Sequence, residues 1–180
     1  MAIKLPRTIR LDPSDTFVYR RAAEPGEWAV TGTFLFYGVD AARLSGKEQQ
    51  AFRAGFLGID SFGWSTLAAV TEASEEERAA AVERLSKQLV IHCGAPDTEQ
   101  ARAAAEEEIA FAQTLCEHPP NTLLGMHRTS DGDSIRETFR TLHRNANRLD
   151  PAQAFRFIEV EEEETPGDEI DLHALARRRK

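Results

Sequence analysis

The sequence predicts an α+β fold: an antiparallel sheet of about six or seven strands with two long helices packed on one face. Three observations carry this. Short runs rich in β-branched and aromatic residues, bounded by Pro, Gly and Asp, crowd both ends of the chain. Two capped amphipathic segments stand side by side in the middle. The links between the strand-like runs are short enough for hairpins, which implies antiparallel pairing.

Taken in order, Arg7–Asp12 is the first expected strand, closed by the turn cluster Asp12-Pro13-Ser14-Asp15. Thr16–Arg21 alternates through Phe17 and Tyr19 and reads as a second strand. Pro25-Gly26 marks a turn. Trp28–Gly38, rich in Thr, Val and aromatic residues, then reads as a long central strand. Residues 40–54 suit a modest helix capped by Asp40, and Gly55, Gly58 and Gly63 punctuate an aromatic loop before a strand at Ser65–Thr71.

The helices are better marked. Ser74 with Glu77 three residues on forms a capping box, with Val82, Leu85 and Leu89 behind it, so a helix over 75–92 ends near Gly94. Asp97 caps the next, whose stripe is Ala101, Ala105, Ile109, Ala112 and Cys116. Thr122–Thr129 and Ser134–Arg144 flank Ser130-Asp131-Gly132-Asp133, a hairpin signature. Ala154–Val160 is the last expected strand. Residues 1–160 read as one domain. Residues 161–180 read as an acidic-then-basic C-terminal tail, solvated or forming a short helix from Asp168.

Charge and composition exclude several classes. A net charge of −8 over 180 residues opposes general binding to nucleic acid and docking on anionic membranes. The longest uncharged stretch, Trp28 to Val39, is far short of the ~20 residues a membrane helix needs. Charges interrupt the first fifteen residues, so no signal-peptide core is expected there. With only Cys93 and Cys116, no disulfide framework is expected, and the protein reads as cytoplasmic.

The chemical motifs thin out on inspection. His92 and Cys93, with Cys116 and His118, have the residue types of a zinc set. They close successive helices of an expected hairpin, a helix length apart, so no metal site is expected. Both thiols lie near helix C-termini, where the dipole opposes a thiolate. Gly63-Trp64-Ser65-Thr66-Leu67 lacks the second glycine of a nucleophile elbow. The glycines of the aromatic loop lack phosphate-loop spacing. Neither a catalytic residue nor a cofactor is therefore expected.

Two weaker features remain. The loop at 55–66 carries Phe56, Asp60, Phe62, Trp64 and Ser65, residue types that line apolar ligand pockets with a few polar groups. Around 126–158, Arg128, Arg136, Arg140, Arg144, Arg148 and Arg156 outnumber Asp131, Asp133, Glu137 and Asp150. Arg136, Arg140 and Arg144 share one strand face, a surface suited to an anionic partner.

Four strings, PRTIRLDPSDTFV at 6–18, AAEPGEWAV at 22–30, GFLGIDSFGWST at 55–66 and AAAEEEIAFAQTLCEHPPNTLL at 103–124, together resemble an uncharacterised family of small bacterial proteins of unknown function. The likeness covers most of residues 1–160, and it implies no assigned activity or functional residue. The sequence thus points to a non-enzymatic accessory or interaction protein, with a protein partner or a homo-oligomer as its setting. The alternative is a small-ligand-binding protein or enzyme with an apolar aromatic pocket near residues 55–66.

Overall fold

The computed structural model describes residues 2–144, 158–161 and 170–171. It has the expected α+β character, with the strands divided between two sheets. The larger is six-stranded in the order β1-β5-β6-β7-β8, with β9 also pairing β7. Its strands are β1 (Ile3–Ile9), β5 (Leu67–Ala73), β6 (Leu123–Asp131), β7 (Ser134–Arg144), β8 (Ile158–Glu161) and β9 (Ile170–Asp171), all paired antiparallel. The smaller joins β2 (Ala29–Val30), β3 (Phe56–Gly58) and β4 (Trp64–Ser65). A bridge between Arg7 and Trp28 ties the two sheets together.

The helices follow the sequence signals closely. α3 (Glu75–Cys93) opens on the full capping box: the Glu77 amide donates to the Ser74 hydroxyl and the Ser74 amide to the Glu77 carboxylate. Gly94, in the left-handed region at φ 62°, ends it. α4 (Thr98–Thr114) is capped by Asp97, which accepts from the Gln100 amide. Its buried stripe is Ala101, Ala105, Ile109 and Ala112. These alanines let α4 approach Leu85 and Leu89 of α3, and Leu5, Val30, Leu57 and Ile59 of the sheets, in one cluster. Each leucine-sized side chain so removed from water contributes roughly 1.5–3 kcal/mol.

On the covered face of the larger sheet, Ala68, Val70, Leu124, Met126 and Phe139 pack with Cys116 just beyond α4. Phe111 of α4 meets Phe139 edge-on at 6.1 Å. The expected hairpin at 130–133 joins β6 to β7, with Gly132 at φ 63°.

The first third departs from expectation. Thr16–Arg21 is not a strand: Ser14–Val18 forms the short helix α1. Local bonds nucleate it, with the Ser14 amide donating to Asp12 and the Thr16 hydroxyl to the Pro13 carbonyl. Asp15 then accepts from the amide and hydroxyl of Thr66, and the Tyr19 and Thr66 hydroxyls bond at 2.9 Å. Nor is Trp28–Gly38 one long strand. After β2 the backbone turns at Gly32, φ 75°, into a 3₁₀ turn over Thr33–Phe36. Asp40 does cap a helical turn, but a 3₁₀ one over Ala41–Arg43. The α-helix proper, α2, runs Gly46–Ala54.

Among the described residues no helix is long and apolar enough to cross a membrane. Of the last expected strand, Ala154–Val160, the part before Ile158 lies outside the described residues. Ile170–Asp171 is a strand against Ser134–Ile135 rather than part of a helix from Asp168. The rest of the 161–180 tail beyond Glu161 lies outside the described residues.

Candidate functional site

The aromatic loop at 55–66 is a β-hairpin with a buried carboxylate at its heart. Gly58 and Gly63 close it, the Gly58 amide donating to the Gly63 carbonyl at 2.8 Å. Glu27 reaches into it from the start of β2. Its carboxylate accepts from the Ser61 amide at 2.6 Å, the Ser61 hydroxyl at 2.7 Å and the Glu24 amide at 2.6 Å. A Cβ on Gly58 would lie 2.8 Å from that carboxylate, so any side chain there would push Glu27 off its hydrogen bonds. The tight loop forces Phe62 into the left-handed region, φ 56°, where a bulky residue is strained. That conformation turns its ring outward, onto the ring of His92 in the last turn of α3. The rings stack at 4.5 Å and 9°.

Two of the five sequence-predicted pocket residues therefore come together. Phe62 and Trp64 line a cleft of about 340 Å³ with Arg20, Arg21, Lys47, Glu48, Ala51 and His92. The other three do not join them. Phe56 is buried among Ala29, Val70 and Leu124. Asp60 is exposed and pairs with Arg84 of α3 at 3.2 Å, beside Gln88, which holds the Ile59 and Asp60 carbonyls. Ser65 is buried and donates to the Leu67 carbonyl at 2.7 Å.

Every wall of the cleft is held. Arg21 and Ala23 bond through their backbones to Trp64, at 2.9 and 2.8 Å. The Asp15–Thr66–Tyr19 chain anchors α1 just before them, and burial pushes the Tyr19 phenol up to about 12. Lys47 and Glu48 come from the first turn of α2, and Glu48 pairs with Arg20 at 2.8 Å. The cleft thus presents Arg20, Arg21 and Lys47 against a single carboxylate, over an aromatic floor. The sequence could not show this set, because it is gathered from four separate segments.

Behind the floor, Trp64 stacks on Phe36 at 5.4 Å, and the buried Arg128 guanidinium lies 5.5 Å from the Phe36 ring and 5.8 Å from the Trp64 ring. Arg128 donates to Thr33, to the Thr31 carbonyl and to the Ala51 and Phe52 carbonyls at the end of α2. Glu137 faces it, accepting from the Thr33 hydroxyl. The basic stretch of the last quarter is therefore divided. Arg128 leaves the surface altogether. Arg136 is exposed and within 3.6 Å of Asp131, and Arg140 is exposed and also engaged. The side chain of Arg144, with Arg148 and Arg156, lies outside the described residues.

The two cysteines are free. Cys93 is exposed at the end of α3, and Cys116 is buried, its thiol pushed up to about 12 by that burial. Among the described residues, no three or more His, Cys, Asp or Glu side chains stand together as metal ligands.

Fold and site define an α+β protein with a cationic, aromatic-floored cleft where the 55–66 hairpin meets α2, the end of α3 and the segment after α1. The chain belongs to a family of unknown function, DUF6505, whose model matches residues 2–164. No curated protein and no solved structure matches it.

Proposed function

We propose that this protein is a cytoplasmic, non-enzymatic accessory protein that docks an acidic partner segment in the cleft at Phe62 and Trp64. The observation that carries the reading is the gathering of Arg20, Arg21 and Lys47 around the half-buried rings of Phe62 and Trp64, in a chain whose net charge is −8. Like charges cost free energy to assemble, and an acidic ligand offsets that cost. The openness of the site supports a macromolecular partner over an enclosed small ligand. The Arg20 side chain is 80% exposed, and the neighbouring segments carry Phe17 and Ile91 at 71% and 72% exposure. Large apolar side chains left in water close in sequence to cationic lining residues suit an interface.

The test is a fluorescence titration of the full chain with the peptide Ac-DEFDE-NH₂, reading tryptophan emission. Saturable binding is expected. It should weaken about tenfold or more in the triple variant R20E/R21E/K47E. It should also weaken at ~1 M salt, where the screening length falls to ~3 Å. Absence of saturable binding, or binding indifferent to the three reversals, would overturn the reading.

A further inference from the structure

We infer, resting on the cleft as a docking site for acidic segments, that His92 is its proton-linked binding residue: the partner is held more tightly once the imidazole has taken a proton from water. Docking then strengthens as pH falls from about 8 to about 5.5, the range in which a histidine side chain gains its charge.

The geometry places the ring where a charge would be felt. His92 stands in the last turn of α3 and lines the cleft together with Arg20, Arg21, Lys47 and Glu48. It is exposed, and Phe62 stacks on its face at 4.5 Å and 9°. A face-to-face stack leaves the rim of the imidazole open, and both nitrogens lie on that rim. The position suits a cation as well as a neutral ring. The end of a helix attracts positive charge, and a cation over an aromatic face is favourable.

What the empty cleft lacks is a counter-charge. Among the described residues its lining holds one carboxylate, Glu48, which Arg20 engages at 2.8 Å. Asp60 of the hairpin is engaged by Arg84 at 3.2 Å. Arg21 reaches the Ser61 carbonyl at 3.3 Å, and with Lys47 it adds two more positive charges to the same walls. A proton on His92 would join these cations unopposed. An arriving acidic segment supplies the missing negative charge. Binding of the segment and binding of the proton must then favour each other by the same factor.

The neighbouring groups leave this window to His92. Arginine and lysine side chains keep their charge across it, and the carboxylates of an acidic ligand stay ionised. The Cys93 thiol beside His92 is pushed up by partial burial and stays neutral. Glu108, pushed up to about 7, does titrate here. It acts on Glu137, Arg128 and Tyr37, however, and does not line the cleft.

The experiment measures the affinity of the full chain for Ac-DEFDE-NH₂ at about pH 8 and about pH 5.5. The parent should bind about fivefold more tightly at the lower pH, the scale of one added charge contact in an open site. In His92→Gln the ratio between the two pH values should fall below about twofold. His92→Phe keeps the stack without the proton, and His92→Lys keeps a charge at both pH values, so each should also be flat. Glu108→Gln should keep the parent's pH dependence. Calorimetry at about pH 6.5 in two buffers of different ionisation enthalpy should show net proton uptake on binding in the parent and not in His92→Gln. Equal affinity of the parent at both pH values, or a pH dependence that survives His92→Gln, would overturn the inference and leave the cleft standing. Absence of binding at either pH would remove the cleft reading and this inference with it.

Discussion

Arg128 and Glu137 stand directly opposite one another on β6 and β7, their charged atoms 3.6 Å apart and their side chains 0% and 8% exposed. The pair is not self-sufficient. Thr33 bonds both members, and the end of α2 supplies two carbonyls to the guanidinium. Burial draws the guanidinium pKa down, and the carboxylate beside it pushes it back up. This cluster fastens the 3₁₀ turn at Thr33 and helix α2 to the large sheet.

Removing one partner should therefore be costly. Arg128→Met leaves Glu137 buried without its cation, and a loss of about 3–5 kcal/mol is expected in urea unfolding. The double variant Arg128→Met/Glu137→Leu should recover much of that loss, because it leaves no orphan charge. A double variant as unstable as the single would mean that the hydrogen bonds to Thr33 and α2, not the charge pair, dominate.

Glu108 of α4 adds a pH dependence. Its carboxyl is pushed up to about 7 by burial first, then by Glu137 and Glu107, against the opposing pull of Arg128. Tyr37, also facing this group, has its phenol raised by burial and by Glu108 and Glu137. A carboxyl raised in the folded state holds a proton that the unfolded chain has already lost. Stability from this group is therefore present below the ordinary carboxylate range and is lost as pH rises from about 4.5 to about 7. Glu108→Gln should be more stable than the parent at pH 8 by ~1–2 kcal/mol, discounted for partial exposure, with the gap closing toward pH 4. Thermal melts across that range decide it, and a pH-independent difference would count against this origin.

Much of this fold was legible because its signals are local. Ser74 with Glu77, Asp97, Gly94 and the Gly132 turn each satisfy a helix end or a hairpin within a few residues. The α+β class followed from them. The first third was not legible, because its decisive contacts are long-range. Thr16–Arg21 alternates like a strand, but Asp15 and Tyr19 are held by Thr66, some fifty residues away. At the candidate site, the loop announced Phe62 and Trp64 by composition. Arg20, Arg21, Lys47 and His92 reach it only through tertiary packing. Arg128 looked like one more surface cation because strand parity does not say which face is covered.

Gly32 explains why the strand expected through Trp28–Gly38 stops short. Its φ is 75°, and an added Cβ would sit 2.7 Å from Leu57 Cβ and 2.9 Å from the Trp64 ring. Gly32→Ala combines backbone strain with overpacking, so a loss of about 2–4 kcal/mol is expected. Because the intruding methyl strikes Trp64, the variant should also shift tryptophan emission. A loss below about 0.5 kcal/mol would show that the turn is free to rearrange.

Glu27 is the residue on which the cleft depends without lining it. Its carboxylate ties the loop tip at Ser61 to the turn at Glu24, and so fixes the left-handed turn that lays Phe62 on His92. A carboxylate accepts all three bonds, whereas an amide must set an N–H against at least one backbone donor. Glu27→Gln should then cost about 1–3 kcal/mol. It should also remove the upfield ring-current shift of the His92 ring protons in the NMR spectrum and weaken acidic-peptide binding at the cleft. Phe62→Leu, which keeps the loop but not the aromatic ring, should remove the His92 shift at little cost in stability. If Glu27→Gln instead loses stability while the His92 shift persists, the stack is held by α3 and Gln88 alone, and the loop does not position the cleft.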